Sequence, residues 1–289
     1  MADFVALTPD RLELGEGGRW VGDRLILVDI PAGRLLTALT PPLPGGAPLT
    51  ELAKLDEPLA TVAPVAGAPD TWLAATGTGF ALLKDGTAEP LVSPEAVTTK
   101  AWRMNDGVAD PAGRFWVGSM ACDQSPKAGA LYRLDPDGSV RIMVRDLTIT
   151  NGPAFTEDGA TMFLSDTPLG HVDRFDVDPA TGELSGRRPF LRLDPADGAP
   201  DGMTVDAEGC LWVALFGASA VHRYRPDGEL DRRVAVPARQ PTSVCLVGSS
   251  LVVTSGRGGL EDPGPDDGAV MVTDAGVQGV PALPARLRI

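Results

Sequence analysis

One construction recurs six times along this chain: a strand-forming run, a tight turn carrying Gly, Pro or Asp, and a second strand-forming run. The copies are GRWVGDRLILVDI (18–30), LATVAPVAGAPDTWLAAT (59–76), NDGVADPAGRFWVGSM (105–120), NGPAFTEDGATMFLSD (151–166), DGMTVDAEGCLWVALF (201–216) and TSVCLVGSSLVVTSG (242–256). Aligned on the start of the first strand, their anchors are Glu16, Leu59, Asn105, Asn151, Asp201 and Thr242, at intervals of 43, 46, 46, 50 and 41 residues. A period of about 40–50 residues is that of a four-stranded propeller blade.

Third strands follow on schedule: 33–39, 79–86, 129–138, 171–182, 221–228 and 268–276. Fourth strands are fainter, as in VRIMVRDL (140–147) and RRVAVP (232–237). The last repeat has no clear fourth strand, while the first has a spare apolar run before it, Phe4–Leu7 or Leu12–Leu14. The expectation is therefore an all-β, six-bladed propeller over 1–289, one domain, its ring closed by an N-terminal strand in the last blade. The rival, a large β-sandwich, would space its strands irregularly. Gly 34 and Pro 27 suit many short strands joined by turns, and no long helical pattern is present to support an α/β barrel or a Rossmann fold.

Lys+Arg 25 against Asp+Glu 39 gives a net charge of −14, which argues against nucleic acid or an anionic membrane as partner. No apolar run approaches the roughly 20 residues of a membrane span, and the N-terminal residues lack a basic-then-apolar leader. Cys122, Cys210 and Cys245 are odd in number with no close pairing, so a reducing, cytoplasmic setting is expected.

The phase of the repeat gives the polar residues their meaning. In a propeller the first strand of every blade lines the central axis, so equivalent strand mouths converge at one end of the channel. Four of the six mouths carry oxygen donors: Glu16, Asn105, Asn151 and Asp201. Taken singly, Asn-Gly and Asp-Gly are ordinary turn dipeptides; in one phase of one repeat they read as a site. Two carboxylates with amide oxygens, and no His or Cys, suit a hard divalent cation. Glu16, Asn151 and Asp201 as metal ligands leave positions open to water or substrate.

These residues also carry a family resemblance. LGEGGRW, RMNDGVADPAGRFWVGSM, TNGPAF, PDGMTVDAEGCLWVA and PTSVCLVG resemble, in order and spacing over nearly the whole chain, the blocks of the SMP-30/gluconolactonase/luciferin-regenerating (regucalcin-like) family. The resemblance implies a six-bladed propeller with one divalent metal ion, open among Ca2+, Mg2+, Mn2+ and Zn2+. Glu16, Asn151 and Asp201 match the family's metal ligands, and Arg103 and Asn105 its substrate-binding pair. Two departures stand out. Gly18 stands where the family often has Pro after GEG. The loop after Met120 reads ACDQSP where relatives often carry Glu, so Asp123 is expected to supply that substrate contact one methylene short.

The expected reaction is metal-dependent hydrolysis of a sugar (aldono)lactone, with a small-molecule substrate and a monomer or weak homo-oligomer. A metal would act as Lewis acid on the carbonyl and acidify a water, with Asp201 as general base. Arg103 and Asn105 are suited to a polyhydroxylated substrate. Covalent catalysis is disfavoured because no G-x-S-x-G elbow occurs. His171 and His222 fall in third strands and are read as strand residues, Cys210 and Cys245 as small core residues, and Trp20, Trp116 and Trp212 as core. Cys122 sits in the loop after Met120 without a partner base, and Trp102 beside Arg103 is the one tryptophan placed for substrate. The acidic run 261–267 reads as a solvated loop. The alternatives are a phosphotriesterase-like or aryl-ester hydrolase and a non-catalytic Ca2+-binding propeller.

Overall fold

The computed structural model describes residues 4–39 and 46–288. They form six four-stranded antiparallel sheets, each a blade of a propeller. The first blade is β2 (Gly15–Val21), β3 (Arg24–Asp29), β4 (Arg34–Leu39) and β5 (Thr50–Lys54); the second is β6 (Leu59–Val65), β7 (Ala68–Thr76), β8 (Gly79–Lys84) and β9 (Thr87–Val92). The third is β10 (Trp102–Ala109), β11 (Phe115–Ala121), β12 (Gly129–Leu134) and β13 (Val140–Leu147). The fourth is β14 (Thr150–Phe155), β15 (Thr161–Asp166), β16 (His171–Val177) and β17 (Leu184–Arg192). β18 (Ala199–Val205), β19 (Leu211–Phe216), β20 (Ala220–Tyr224) and β21 (Leu230–Ala235) make the fifth. The sixth joins β22 (Pro241–Val247), β23 (Ser250–Ser255) and β24 (Met271–Asp274) to β1 (Val5–Ala6).

β1 pairs with β24 through Val5↔Val272 and Ala6↔Met271. The spare N-terminal run thus completes the last blade as its outer strand, and no inter-blade gap is left at the seam. The inner strands β2, β6, β10, β14, β18 and β22 each touch the next around the ring, and β22 returns to β2.

The core lies between blades rather than inside a single layer. Each of the six hydrophobic clusters joins two neighbouring sheets. β11 shows how one strand serves two of them. Alternate side chains of a strand face opposite ways, so Phe115 and Val117 pack toward the second blade while Trp116 packs toward the fourth. Both faces of such a strand are covered, which is why it reads as a continuous apolar run instead of an alternating one.

Past β24 the described residues make no further strand. They cross the face opposite the strand mouths as a strap: Ala282 N–H donates to Trp20 O, Ala285 N–H to Pro64 O, Arg286 N–H to Gly113 O and Arg288 N–H to Pro136 O. A cavity of about 100 Å3 lies at that end of the channel, walled by Arg19, Trp20, Phe155, Met203 and Cys245 and covered by residues 280–283.

Candidate active site

Every inner strand is irregular near its mouth. The pairing register slips between Glu16 and Arg19, Leu59 and Thr61, Met104 and Gly107, Asn151 and Ala154, Pro200 and Met203, and Pro241 and Ser243. A bulge frees one or two residues from the ladder and re-aims their side chains. Here Asn105 and Asp201 fall inside the bulges, while Glu16 and Asn151 are the last paired residues before them, opposite Val28 and Ser165. Gly17 (φ 59°) and Gly152 (φ 76°) adopt the left-handed backbone these bulges need, which a side chain would strain.

Hydrogen bonds connect the gathered residues across blades. Arg103 Nη1 donates to Asn105 Oδ1 at 2.7 Å; Asn105 Nδ2 donates to Asn151 Oδ1 at 2.8 Å and to Thr150 O at 2.9 Å. Asn151 Nδ2 donates to Thr167 Oγ1 at 2.8 Å, whose hydroxyl donates to Pro200 O, next to Asp201. This relay runs from the third blade through the fourth to the fifth and fixes the amide orientations. The Gly18 N–H donates to Ser243 Oγ at 3.2 Å, a bond from the first blade to the sixth that proline at that position would remove.

The electrostatics are those of a place with too much negative charge. Glu16 and Asp201 are both buried. Burial, followed by the neighbouring Asp106 carboxylate, pushes Glu16 up to about 8 against the opposing pull of Arg19 and Arg103. Burial, followed by Glu16 and Asp106, raises Asp201 well above the ordinary carboxylate value. The Arg103 guanidinium is pulled down by burial, while Glu16, Cys122 and Asp201 pull it back up. Among the described residues Glu16 accepts one protein hydrogen bond, from Gly17 N–H at 3.0 Å. Asp201 Oδ1 is buried with no hydrogen-bond partner among the described residues. An orphaned buried carboxylate oxygen is costly unless something outside the protein satisfies it. A divalent cation fits that oxygen and its donor set of two carboxylates and an amide. Among the described residues no group of three or more His, Cys, Asp or Glu is placed to hold a metal ion, so the set at the mouth depends on the Asn151 amide.

Asp123 lies just past β11, exposed, and pairs with Lys100 at 2.7 Å; this pairing and Ser125 lower its carboxyl to about 2. Trp102 is half-buried and stacks on Tyr132, ring centroids 6.1 Å apart. His171 and His222 lie on third strands, His222 buried with its Nδ1 2.8 Å from the Tyr224 hydroxyl. Cys245 is buried in β22, where burial pushes its thiol up to about 12; Cys210 is buried one residue ahead of β19, and Cys122 is exposed.

Two residues of the channel carry no assigned role from the sequence. Asp106 is buried beside Asn105, and Arg19 reaches it across the ring at 3.4 Å. Asp106 follows Asn105 directly in the chain, but its partner lies 87 positions away. Their occurrence next to two anchors of the repeat was the available signal.

Comparison with known proteins agrees with this fold. The sequence profile of the SMP-30/gluconolactonase/LRE-like region matches residues 14–257. Human (Homo sapiens) regucalcin is 33% identical over 290 residues, covering 94% of each chain. A luciferin-regenerating enzyme superposes with a TM-score of 0.89 at 29% identity, covering 99% of this chain and 100% of its own. A regucalcin from Agrobacterium tumefaciens, described as a calcium-binding protein, gives a TM-score of 0.88 at 26% identity over 100% and 98% of the two chains. With the profile spanning most of the propeller, the chain belongs to the SMP-30/gluconolactonase/LRE-like family, which includes gluconolactonases.

Proposed function

We propose that the protein hydrolyses a sugar lactone to the corresponding aldonic acid, with one divalent cation held by Glu16, Asn151 and Asp201. The observation that carries this reading is the unpartnered, buried Asp201 Oδ1 at the mouth where Glu16 and Arg103 also converge. Bound there, the cation supplies Lewis-acid polarisation of the ester carbonyl and lowers the pKa of a water.

The protein's own groups do the rest. Asp201 uses the oxygen that does not hold the cation to take the proton of the attacking water as the C–O bond forms, and returns it to the ring oxygen as the acyl–oxygen bond breaks. Arg103, already held by Asn105 and by Met104 O at 2.9 Å, offers its remaining guanidinium N–H groups to substrate hydroxyls. Asn105 relays that orientation to Asn151. Asp123, at the rim, is the outermost substrate contact, in competition with its ion pair to Lys100. Among the described residues no helix is long and apolar enough to cross a membrane. In the same reading residues 1–289 act as one domain, in the cytoplasm, where its cysteines stay reduced.

The test is a panel of five- and six-carbon aldonolactones assayed after chelation and again with each divalent ion restored. Hydrolysis that vanishes with the metal and returns with it supports the reading. Turnover of aryl esters or phosphotriesters in preference to every aldonolactone would transfer the protein to the alternative hydrolase class. Stoichiometric metal binding without turnover of any ester would make it a non-catalytic cation-binding propeller.

A further inference from the structure

Below the mouth, between the carboxylates and the cavity at the strap, Arg19 and Asp106 fill the channel. Arg19 leaves β2 three residues after Glu16 and crosses to β10, where its Nη2 donates to Gly107 O and approaches Asp106 Oδ1 at 3.4 Å. Its Nη1 donates back to Gly18 O at 3.0 Å. Asp106 in turn accepts from Gly107 N–H at 2.7 Å and, with its other oxygen, from Gly152 N–H of β14 at 3.1 Å. Thr61 of β6 donates its hydroxyl to Gly107 O at 3.0 Å. The groups touched are amides and carbonyls inside the bulges or at their edges, each within three residues of Glu16, Asn105 or Asn151. Both side chains are largely shielded, 13% and 6% exposed, so the pair is not loosened by water.

We propose that the Arg19–Asp106 pair is a positioning device: it ties the bulges of β2, β10 and β14 together and so sets the attitude of Glu16, Asn105 and Asn151. For its affinity readout this inference rests on the mouth being a metal site. Its structural readout does not.

Simple charge and positioning predict opposite signs for Arg19. Deleting a cation near the mouth raises the attraction for a divalent ion; deleting a brace lowers affinity by leaving the ligands unheld. Outer partners that orient metal ligands are typically worth about 10–100-fold in affinity. Calorimetric titration of the chelated protein with Ca2+ alone, and with Mn2+ alone, is expected to show Arg19→Met binding weaker by about that factor. Asp106→Asn, nearly isosteric, is expected to bind weaker too, and the double variant no weaker than the worse single, because partners in one interaction are not additive. In the metal-free protein each substitution should speed hydrogen exchange at the Gly107 and Gly152 amides by about tenfold or more.

Equal or tighter binding in Arg19→Met, or losses that add in the double variant, would overturn the proposal. So would unchanged exchange at both amides, including the case where only the melting temperature falls. If the wild type binds neither ion while exchange accelerates as stated, the metal reading fails and the positioning inference stands.

Discussion

Asp201 and Asp206 stand at opposite ends of one inner strand, both buried, in surroundings of opposite kind. Asp206, just past the end of β18, accepts from Glu208 N–H, Cys210 N–H, the Trp212 indole at 2.8 Å and the Arg223 guanidinium at 2.8 Å. Asp110 repeats the arrangement in the third blade, with Ala112 N–H, Arg114 N–H, the Arg114 side chain and the Trp116 indole at 2.9 Å. At the mouth, Asp201 leaves one oxygen empty and shares its neighbourhood with two more carboxylates. The turn end uses buried charge to fasten a hairpin to the core. The mouth end holds buried charge without enough protein partners, which is the condition of a site made for an outside cation. Strain of that kind persists only where the surrounding structure over-determines it, and the six bulged strands with their cross-blade hydrogen bonds supply that constraint.

The comparison is broken most sharply by its largest effect. Asp201→Asn keeps a ligand oxygen but cannot accept the water's proton, so kcat should fall by about 10²–10⁴-fold with metal saturating; wild-type turnover would mean another group is the base. At the other end Asp110→Ala leaves the Arg114 guanidinium buried without its partner, and the Trp116 indole with it. Losing one member of a buried pair costs about 3–5 kcal/mol, read as a lower denaturation midpoint, while the folded fraction keeps its kcat/KM.

The positions of the mouth residues were legible in the sequence because a propeller converts phase into proximity: Glu16, Asn105, Asn151 and Asp201 share one phase. The fastening aspartates were legible in principle, since Asp110 precedes Gly113 and Trp116 with the spacing that Asp206 keeps to Gly209 and Trp212. The Arg19–Asp106 pair and the strap were not. Both depend on contacts between distant blades, and neither leaves a period in the chain. Weak fourth strands have a different cause: β5 and β9 are outer edges with mostly exposed side chains, so their apolar pattern is thin.

A pH series sharpens the contrast at the mouth. Glu16 is raised from 4.5 to about 8, so the folded metal-free protein holds a proton that the unfolded chain releases. Stability tied to that proton is fully present below about 4.5 and is lost as pH rises toward 8. The metal-free protein should therefore lose denaturation free energy across that window, and saturating divalent ion should flatten the loss. A metal-free curve that rises across the same window would contradict the assignment of Glu16 as a carboxylate starved of counter-charge.

Smaller effects are expected toward the rim. Arg103→Met should lower the preference for polyhydroxylated over unsubstituted lactones by roughly tenfold, the worth of one or two hydrogen bonds; equal losses on both would assign Arg103 to the metal site or the fold. Asp123→Ala should change KM by less than that and leave kcat alone, since its carboxylate is exposed and already paired with Lys100. A loss of kcat there would place Asp123 deeper in the reaction than the rim.

The most direct test compares one substitution at both ends of β18 in metal-free protein. Asp201→Asn and Asp206→Asn each exchange a buried carboxyl for an amide of nearly the same shape. In urea unfolding near neutral pH, Asp201→Asn should leave stability unchanged or raise it, because burial, Glu16 and Asp106 already disfavour the charged form of Asp201. Asp206→Asn should lower it by about 1–3 kcal/mol, because the amide cannot accept from both the indole and the guanidinium. Equal losses at the two positions would show that Asp201 is as well satisfied as Asp206, and would contradict the reading of the mouth as a waiting cation site.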